Sequence, residues 1–260
     1  MHKYYTGLGT RAMAGNDLNQ RFPFRHNVAI AYNRRYPDNV VPKESPMCML
    51  LALLLALSGI AAAGGTEIFR DDFNGMLAEG WSWVRENPAA WRVTEDGLEI
   101  RVEPGNLWGK ANNARNVLVR SLPEGDDGAL SIALTVTNAP TNQYEQVNLV
   151  WYYDDRHMVK IGLERVDGVN SLVMGREEAD KTTTLAIIPV TSATLDLRIT
   201  ARGTRLQGEF REAPEQDWRP AGACVLPAKG PAKASIQAYQ GPPDAERWAK
   251  ITGFRIERSE

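Results

Sequence analysis

The chain predicts an all-β fold, a two-sheet antiparallel sandwich or jelly roll, on three observations. Short segments of alternating apolar and polar residues recur from residue 67 to residue 258, turn residues separate them, and no helical period is sustained between. Strands this short, spaced by turns through one domain, are the pattern of two antiparallel sheets stacked face to face.

The elements follow in order. Residues 68–73 form a first strand that ends in Asp71-Asp72-Phe73-Asn74-Gly75. A loop carrying Trp81, Trp83, Arg85, Asn87-Pro88 and Trp91 leads to an alternating strand over 98–102, stopped by Pro104-Gly105. Leu107-Trp108-Gly109 opens an amide-rich loop with Asn112-Asn113, and a strand over 116–120 follows. In residues 130–136, Leu130, Ile132, Leu134 and Val136 alternate with small polar residues.

The clearest element is the hairpin over 146–164. Val147, Leu149, Trp151 and Tyr153 point one way and Gln146, Asn148, Val150 and Tyr152 the other. After the turn at Asp154-Asp155-Arg156, Val159, Ile161 and Leu163 oppose Met158, Lys160, Gly162 and Glu164. Further strands fall at 171–176, 185–190, 195–199, 205–211, 222–226, 234–239 and 251–258, and no internal repeat or interdomain linker interrupts residues 64–260.

The chain has 260 residues and a net charge of −2. Residues 1–46 carry +4, which leaves −6 on the remainder. A mildly acidic body argues against a phosphate-tracking nucleic-acid binder, which needs clustered Lys and Arg. Residues 1–46 have no capped element and read as a disordered extension, or as sequence upstream of a true start at Met47 or Met49. Residues 47–63 are an uncharged apolar run ending in Ala61-Ala62-Ala63. That is short for a membrane span of ~20 residues and suits the core and cleavage site of a signal peptide, with a secreted, periplasmic or cell-envelope location to follow. An uncleaved anchor is the alternative. After such a cleavage Cys224 is alone, so no intramolecular disulfide is expected.

Several segments together carry a resemblance. Asp71-Asp72-Phe73-Asn74-Gly75, GWSWVRENPAAWRV over 80–93, GLEIRVEPGNLWG over 97–109, the 146–164 hairpin and the terminal ITGFRIER over 251–258 resemble the concanavalin A-like lectin/glucanase domains of secreted bacterial proteins. The layout is similar to the C-terminal β-sandwich of family 43 β-xylosidases. The resemblance spans about residues 66–260, is specific for fold, and implies that the first and last strands pair. It implies a carbohydrate as ligand class and does not imply catalysis.

The candidate site is the polar side of the hairpin. Sugars are held by aromatic faces stacked on C–H surfaces and by planar amides and charged groups bonded to hydroxyls. Gln146, Asn148, Tyr152 and Lys160, with Glu164, are expected on one shallow concave face beside Asn116 and Arg120, rimmed by Trp108, Asn112 and Asn113. A solvated sheet face is the plainer alternative. Trp81, Trp83, Trp91 and Trp151 are expected in the core.

No run of alternating carboxylates is present of the kind that the lectin-like glucanases use, so Glu164 is a weak catalytic candidate at most. His157 has no G-x-S-x-G elbow to serve, and the histidines and cysteines after residue 63 are too few for zinc. Asp71 and Asp72, the pair Asp126-Asp127 and the pair Asp154-Asp155 offer oxygen ligands for a structural Ca²⁺. The expected function is therefore non-catalytic carbohydrate binding, with a glycan-cleaving hydrolase or a cell-envelope interaction protein as alternatives.

Overall fold

The computed structural model describes residues 65–125 and 128–260. The expected extension over 1–46, the apolar run over 47–63 and Asp126-Asp127 lie outside the described residues.

The described residues form two stacked antiparallel sheets. The strands are β1 Thr66–Asp71, β2 Trp81–Val84, β3 Trp91–Thr94, β4 Gly97–Arg101, β5 Val117–Ser121, β6 Ala129–Thr137, β7 Gln146–Asp154 and β8 His157–Val166, then β9 Val169–Glu178, β10 Lys181–Pro189, β11 Thr194–Arg202, β12 Arg205–Arg211, β13 Arg219–Val225, β14 Lys233–Tyr239 and β15 Trp248–Ser259. One sheet runs β13-β12-β11-β6-β15-β4-β3, with β1 also paired to β15; the other runs β10-β9-β8-β7-β14-β5-β2. The first and last strands do pair, with Phe69 opposite Ile256 and Asp71 opposite Phe254.

Period two decides which side of each strand is buried between the sheets. Val147, Leu149 and Trp151 of β7, Val159, Ile161 and Leu163 of β8, and Ala234, Ile236 and Ala238 of β14 meet Ile132, Leu134, Leu197, Ile199 and Ile256 of the other sheet in one apolar cluster. Trp81, Trp83 and Trp91 pack on its margin and Trp151 is within it. Trp81 and Trp83 were expected in a loop, but they stand on a short edge strand, with Trp83 opposite Leu118. Its four residues are too few to show alternation.

The second sheet is covered on its outer side too. The connection between β4 and β5 crosses that face and buries Leu107 and Ala114 against Val117, Val119, Val150, Tyr152, Met158 and Tyr239. One end of the connection lies beside the end of β14, where the Gln240 and Gly241 amides donate to the Gly105 and Glu103 carbonyls. At the other end the Arg85 guanidinium donates to the Ala114 carbonyl at 2.6 Å. The outer face is therefore a second, smaller interior.

Leu149 and Ile161 are opposite one another and fully buried between the sheets. Leu149→Ala or Ile161→Ala is expected to cost about 2–5 kcal/mol in urea unfolding, because a buried aliphatic group is replaced by a cavity.

Candidate functional site

Of the residues expected on the hairpin's polar face, the structure brings Gln146, Lys160, Glu164 and Trp108 together. They line a pocket of ≈ 530 Å³ on the outer side of the second sheet, with Asn106, Tyr144, Val166, Asp167, Val173, Thr184, Ile187 and Gln240 completing its walls. That size is within the range of small-ligand sites.

Strand register explains the floor. Gln146 pairs with Glu164 across β7 and β8, and Lys160 is four residues back on the same face of β8. The Lys160 ammonium donates to Gln146 Oε1 at 2.5 Å and to Glu164 Oε2 at 3.1 Å. It also sits 4.7 Å from the centre of the Trp108 ring. Lys160 is only 3% exposed. Burial pulls its pKa down, and the Glu164 carboxylate and its hydrogen bond oppose that. A buried ammonium of this kind needs a matched carboxylate, and the sequence places one a single helical-turn length away in number but on one strand face in fact.

The roof is Trp108. Its indole lies so close over Gly175 of β9 that a Cβ there would stand 2.5 Å from the ring. Glu177, on the same face of β9, accepts a hydrogen bond from the Gly109 amide at 3.0 Å. Glu177 is fully buried, and its pKa is pushed up to about 7 by that burial. The Tyr239 phenol beside this layer is also held well above its ordinary value, by burial first and by the nearby Glu164 and Glu177 charges.

Tyr144 forms another wall of the pocket. Tyr144 is 48% exposed and adopts φ +66°, a left-handed conformation that strains a non-glycine residue. Its amide donates to the Arg165 carbonyl at 2.8 Å, and its carbonyl accepts from Gln146 Nε2 at 2.8 Å. Buried Glu145 ties the turn from below, accepting from the Thr141 and Asn142 amides. Gln240, also on the pocket rim, has φ +65°. Strain of this kind is held in place by surrounding structure and gathers at functional sites.

Other expected site residues are placed differently. Asn148 and Tyr152 are on the anticipated face, but the β4–β5 connection covers it, so both are buried rather than lining an open trough. The Tyr152 hydroxyl donates to Asp155 at 2.8 Å. Asn116 is structural: its Oδ1 accepts from the Asn87 amide at 2.7 Å, and its φ of +51° breaks the alternation into β5. Arg120 shares the side of β5 that carries Leu118, which faces the core between the sheets, so it turns away from the site, stacks on Phe69 at 3.3 Å and donates to the Glu79 carbonyl. Asn112 is in the covering loop but does not line the pocket. Glu164 bonds to Lys160, not to a second acid.

The calcium candidates among the described residues already have partners. Asp71 accepts from the Phe73 and Ala78 amides and from the Trp81 indole, and Asp72 pairs with Arg70. Asp155 is bonded to Arg85, and Asp154 to His157. Among the described residues no group of three His, Cys, Asp or Glu side chains is arranged to hold a metal ion.

Tyr144, Glu177, Asn106 and Tyr239 were not anticipated from the sequence. Isolated glycines inside strands were the available signal. Gly175 and Gly162 interrupt β9 and β8, and glycine within a strand marks a close approach of another group. A second cleft of ≈ 490 Å³, at one end of the sandwich, is bordered by Leu122, Trp151, Tyr153, Pro231 and Ala232.

These features define a class, a concanavalin A-like sandwich with a pocket on one outer sheet face. Residues 70–229 match the family described as the β-xylosidase C-terminal concanavalin A-like domain, and the chain belongs to that family. The GH43 protein BlXynB from Bacillus licheniformis is similar in fold, with TM-score 0.63, 19% identity, and coverage of 73% of this chain and 39% of that one. The xylan β-1,4-xylosidase from Bacillus halodurans gives TM-score 0.62 at 16% identity, over 73% of this chain and 39% of that one. A functionally unknown protein from Saccharomyces cerevisiae gives TM-score 0.56 at 14% identity, over 70% of this chain and 97% of that one. The chain thus spans about two fifths, 39%, of the length of the two Bacillus proteins. No curated protein sequence matches it.

Glu177 gives a pH test. The unfolded carboxyl ionises near its ordinary 4.5, whereas the folded one keeps its proton until about 7. The folded state therefore binds more protons between those values, and stability falls as pH rises through that window. Glu177→Gln is expected to remove that component, on the order of 3 kcal/mol at about 1.4 kcal/mol per unit, so its advantage over the native chain in urea unfolding grows from acid to pH 8.

Proposed function

We propose that this chain is an exported, non-catalytic carbohydrate-binding or accessory protein that holds the end of a glycan in the pocket under Trp108. The observation that carries the reading is the pairing of two aromatic walls, Trp108 and Tyr144, with the amide and charged floor of Gln146, Lys160 and Glu164. Aromatic faces bind the C–H side of a sugar, and the floor groups accept from and donate to its hydroxyls. Glu164 is committed to neutralising Lys160, which suits binding more than acid–base chemistry. Export follows from reading residues 47–63 as a signal segment.

Xylose-based sugars are the first probes, because the family is named for β-xylosidases and a similar fold occurs in a xylan β-1,4-xylosidase. Tyr144→Gly separates ligand contact from fold. Glycine accepts φ +66° without strain. The variant is expected to be up to about 1 kcal/mol more stable in thermal unfolding, and to bind xylobiose about tenfold more weakly by calorimetry. Unchanged xylobiose affinity in both Tyr144→Gly and Trp108→Ala would remove the pocket as the site.

A further inference from the structure

We infer that residues 106–113 are a lid, and that lifting it extends the pocket across the sheet, so that the ligand is an oligosaccharide chain and not a single terminal sugar. This rests on the glycan-binding reading of the pocket and adds to it a length of ligand and a moving part.

The first observation is a strip of unused polar atoms beneath the connection. Asn148 Oδ1, Glu177 Oε1, Gln237 Oε1 and the Tyr239 hydroxyl are buried and have no hydrogen-bond partner in the protein. All four stand on the outer face of the second sheet, because their chain neighbours Leu149, Ile236 and Ala238 point into the core and Glu177 reaches Gly109. A native fold leaves few such atoms, and each calls for a partner such as a water, an ion or a ligand.

The strip is weighted toward acceptors. Asn148 Nδ2 already donates to Gln146 Oε1 at 3.1 Å, and Gln237 Nε2 donates to Ser235 at 3.2 Å. What is left over is a carbonyl oxygen on each amide, which accepts, and the Glu177 carboxyl and Tyr239 phenol, which can accept and, while protonated, donate. Sugar hydroxyls both donate and accept, so a ligand rich in them satisfies that set. The strip is continuous with the open pocket, since Gln237 pairs with Asn148 and Tyr239 pairs with Gln146 across β14 and β7.

The second observation is how the loop is tied. Asn106 closes its base, accepting from the Asn113 and Ala114 amides, and Asn113 Oδ1 accepts from the Asn106 amide. Asn106 also bonds to Trp108 in both directions. Apart from the Asn106–Ala114 bond at its base, the hydrogen bond that ties 106–113 to the rest of the protein is Gly109 to Glu177. Gly105, at the base of the segment, has φ +125°, a conformation that glycine adopts without strain. The segment can therefore move as a unit once that bond and the Trp108 contact are released. Burial of Leu107 favours the closed form when no ligand is present.

The test uses the full chain, xylo-oligosaccharides of two, four and six units, and Gln237→Leu, which removes an acceptor of the strip without touching a pocket-lining residue. The native chain is expected to bind the six-unit chain at least about tenfold tighter than xylobiose, one hydrogen-bonded hydroxyl being worth about that factor. Gln237→Leu is expected to keep xylobiose affinity and an equal or higher melting temperature while losing the dependence on length. In hydrogen exchange, the Gly109 amide is expected to exchange far faster than the amides of β8. Length-independent binding in the native chain would overturn the lid and leave the pocket standing. So would a Gln237→Leu chain that melts lower and keeps the length dependence, which would make the strip a structural layer. A Gly109 amide that exchanges only on global unfolding would overturn the lid as well, and failure to bind any of the three sugars would remove both the lid and the pocket reading.

Discussion

One buried ammonium group organises the outer half of this molecule. Lys160 is withdrawn from water, and a charge there is tolerated only with a close carboxylate and further hydrogen-bonding or aromatic partners. Glu164, Gln146 and the Trp108 ring supply them, each from a different local setting: the same strand, the neighbouring strand and a connection more than fifty residues earlier. The indole can reach its place because β9 has glycine at 175. The pocket floor and its roof thus meet at that one cation.

The sheet beneath is unusual in having two interiors. Its inner side packs on the other sheet through aliphatic side chains, as sandwiches do, and its outer side is closed by the β4–β5 connection. An antiparallel sheet facing water on one side needs no such cover. Here the cover is half apolar, through Leu107 and Ala114, and half polar, through Trp108 and Gly109. That division is why the site is a pocket at the edge of a covered face instead of an open trough.

The fold was legible in the sequence because period two is a local signal. Parity alone placed Leu149 and Ile161 in the core and Asn148 and Lys160 on the other side, and it paired Lys160 with Glu164. What parity cannot register is a contact between distant segments. Gly109 and Glu177 are 68 residues apart, and nothing in the connection or in the periodicity of β9 announces their bond. Arg120 was misplaced because both sides of β5 are apolar: Val117 and Val119 face outward and Leu118 inward, so parity alone did not say which side Arg120 shares. Tyr144 went unnoticed in a short polar loop, since its importance is in a backbone conformation and not in its residue type.

The pocket as ligand site is tested most directly by mapping amide and indole NMR shifts of the full chain during titration with xylotetraose. Shifts concentrated at Tyr144, Gln146, Lys160 and Glu164 and at the Trp108 indole are the expected result. Shifts confined to the cleft at Trp151 and Tyr153, with Lys160 and Trp108 unmoved, would contradict it.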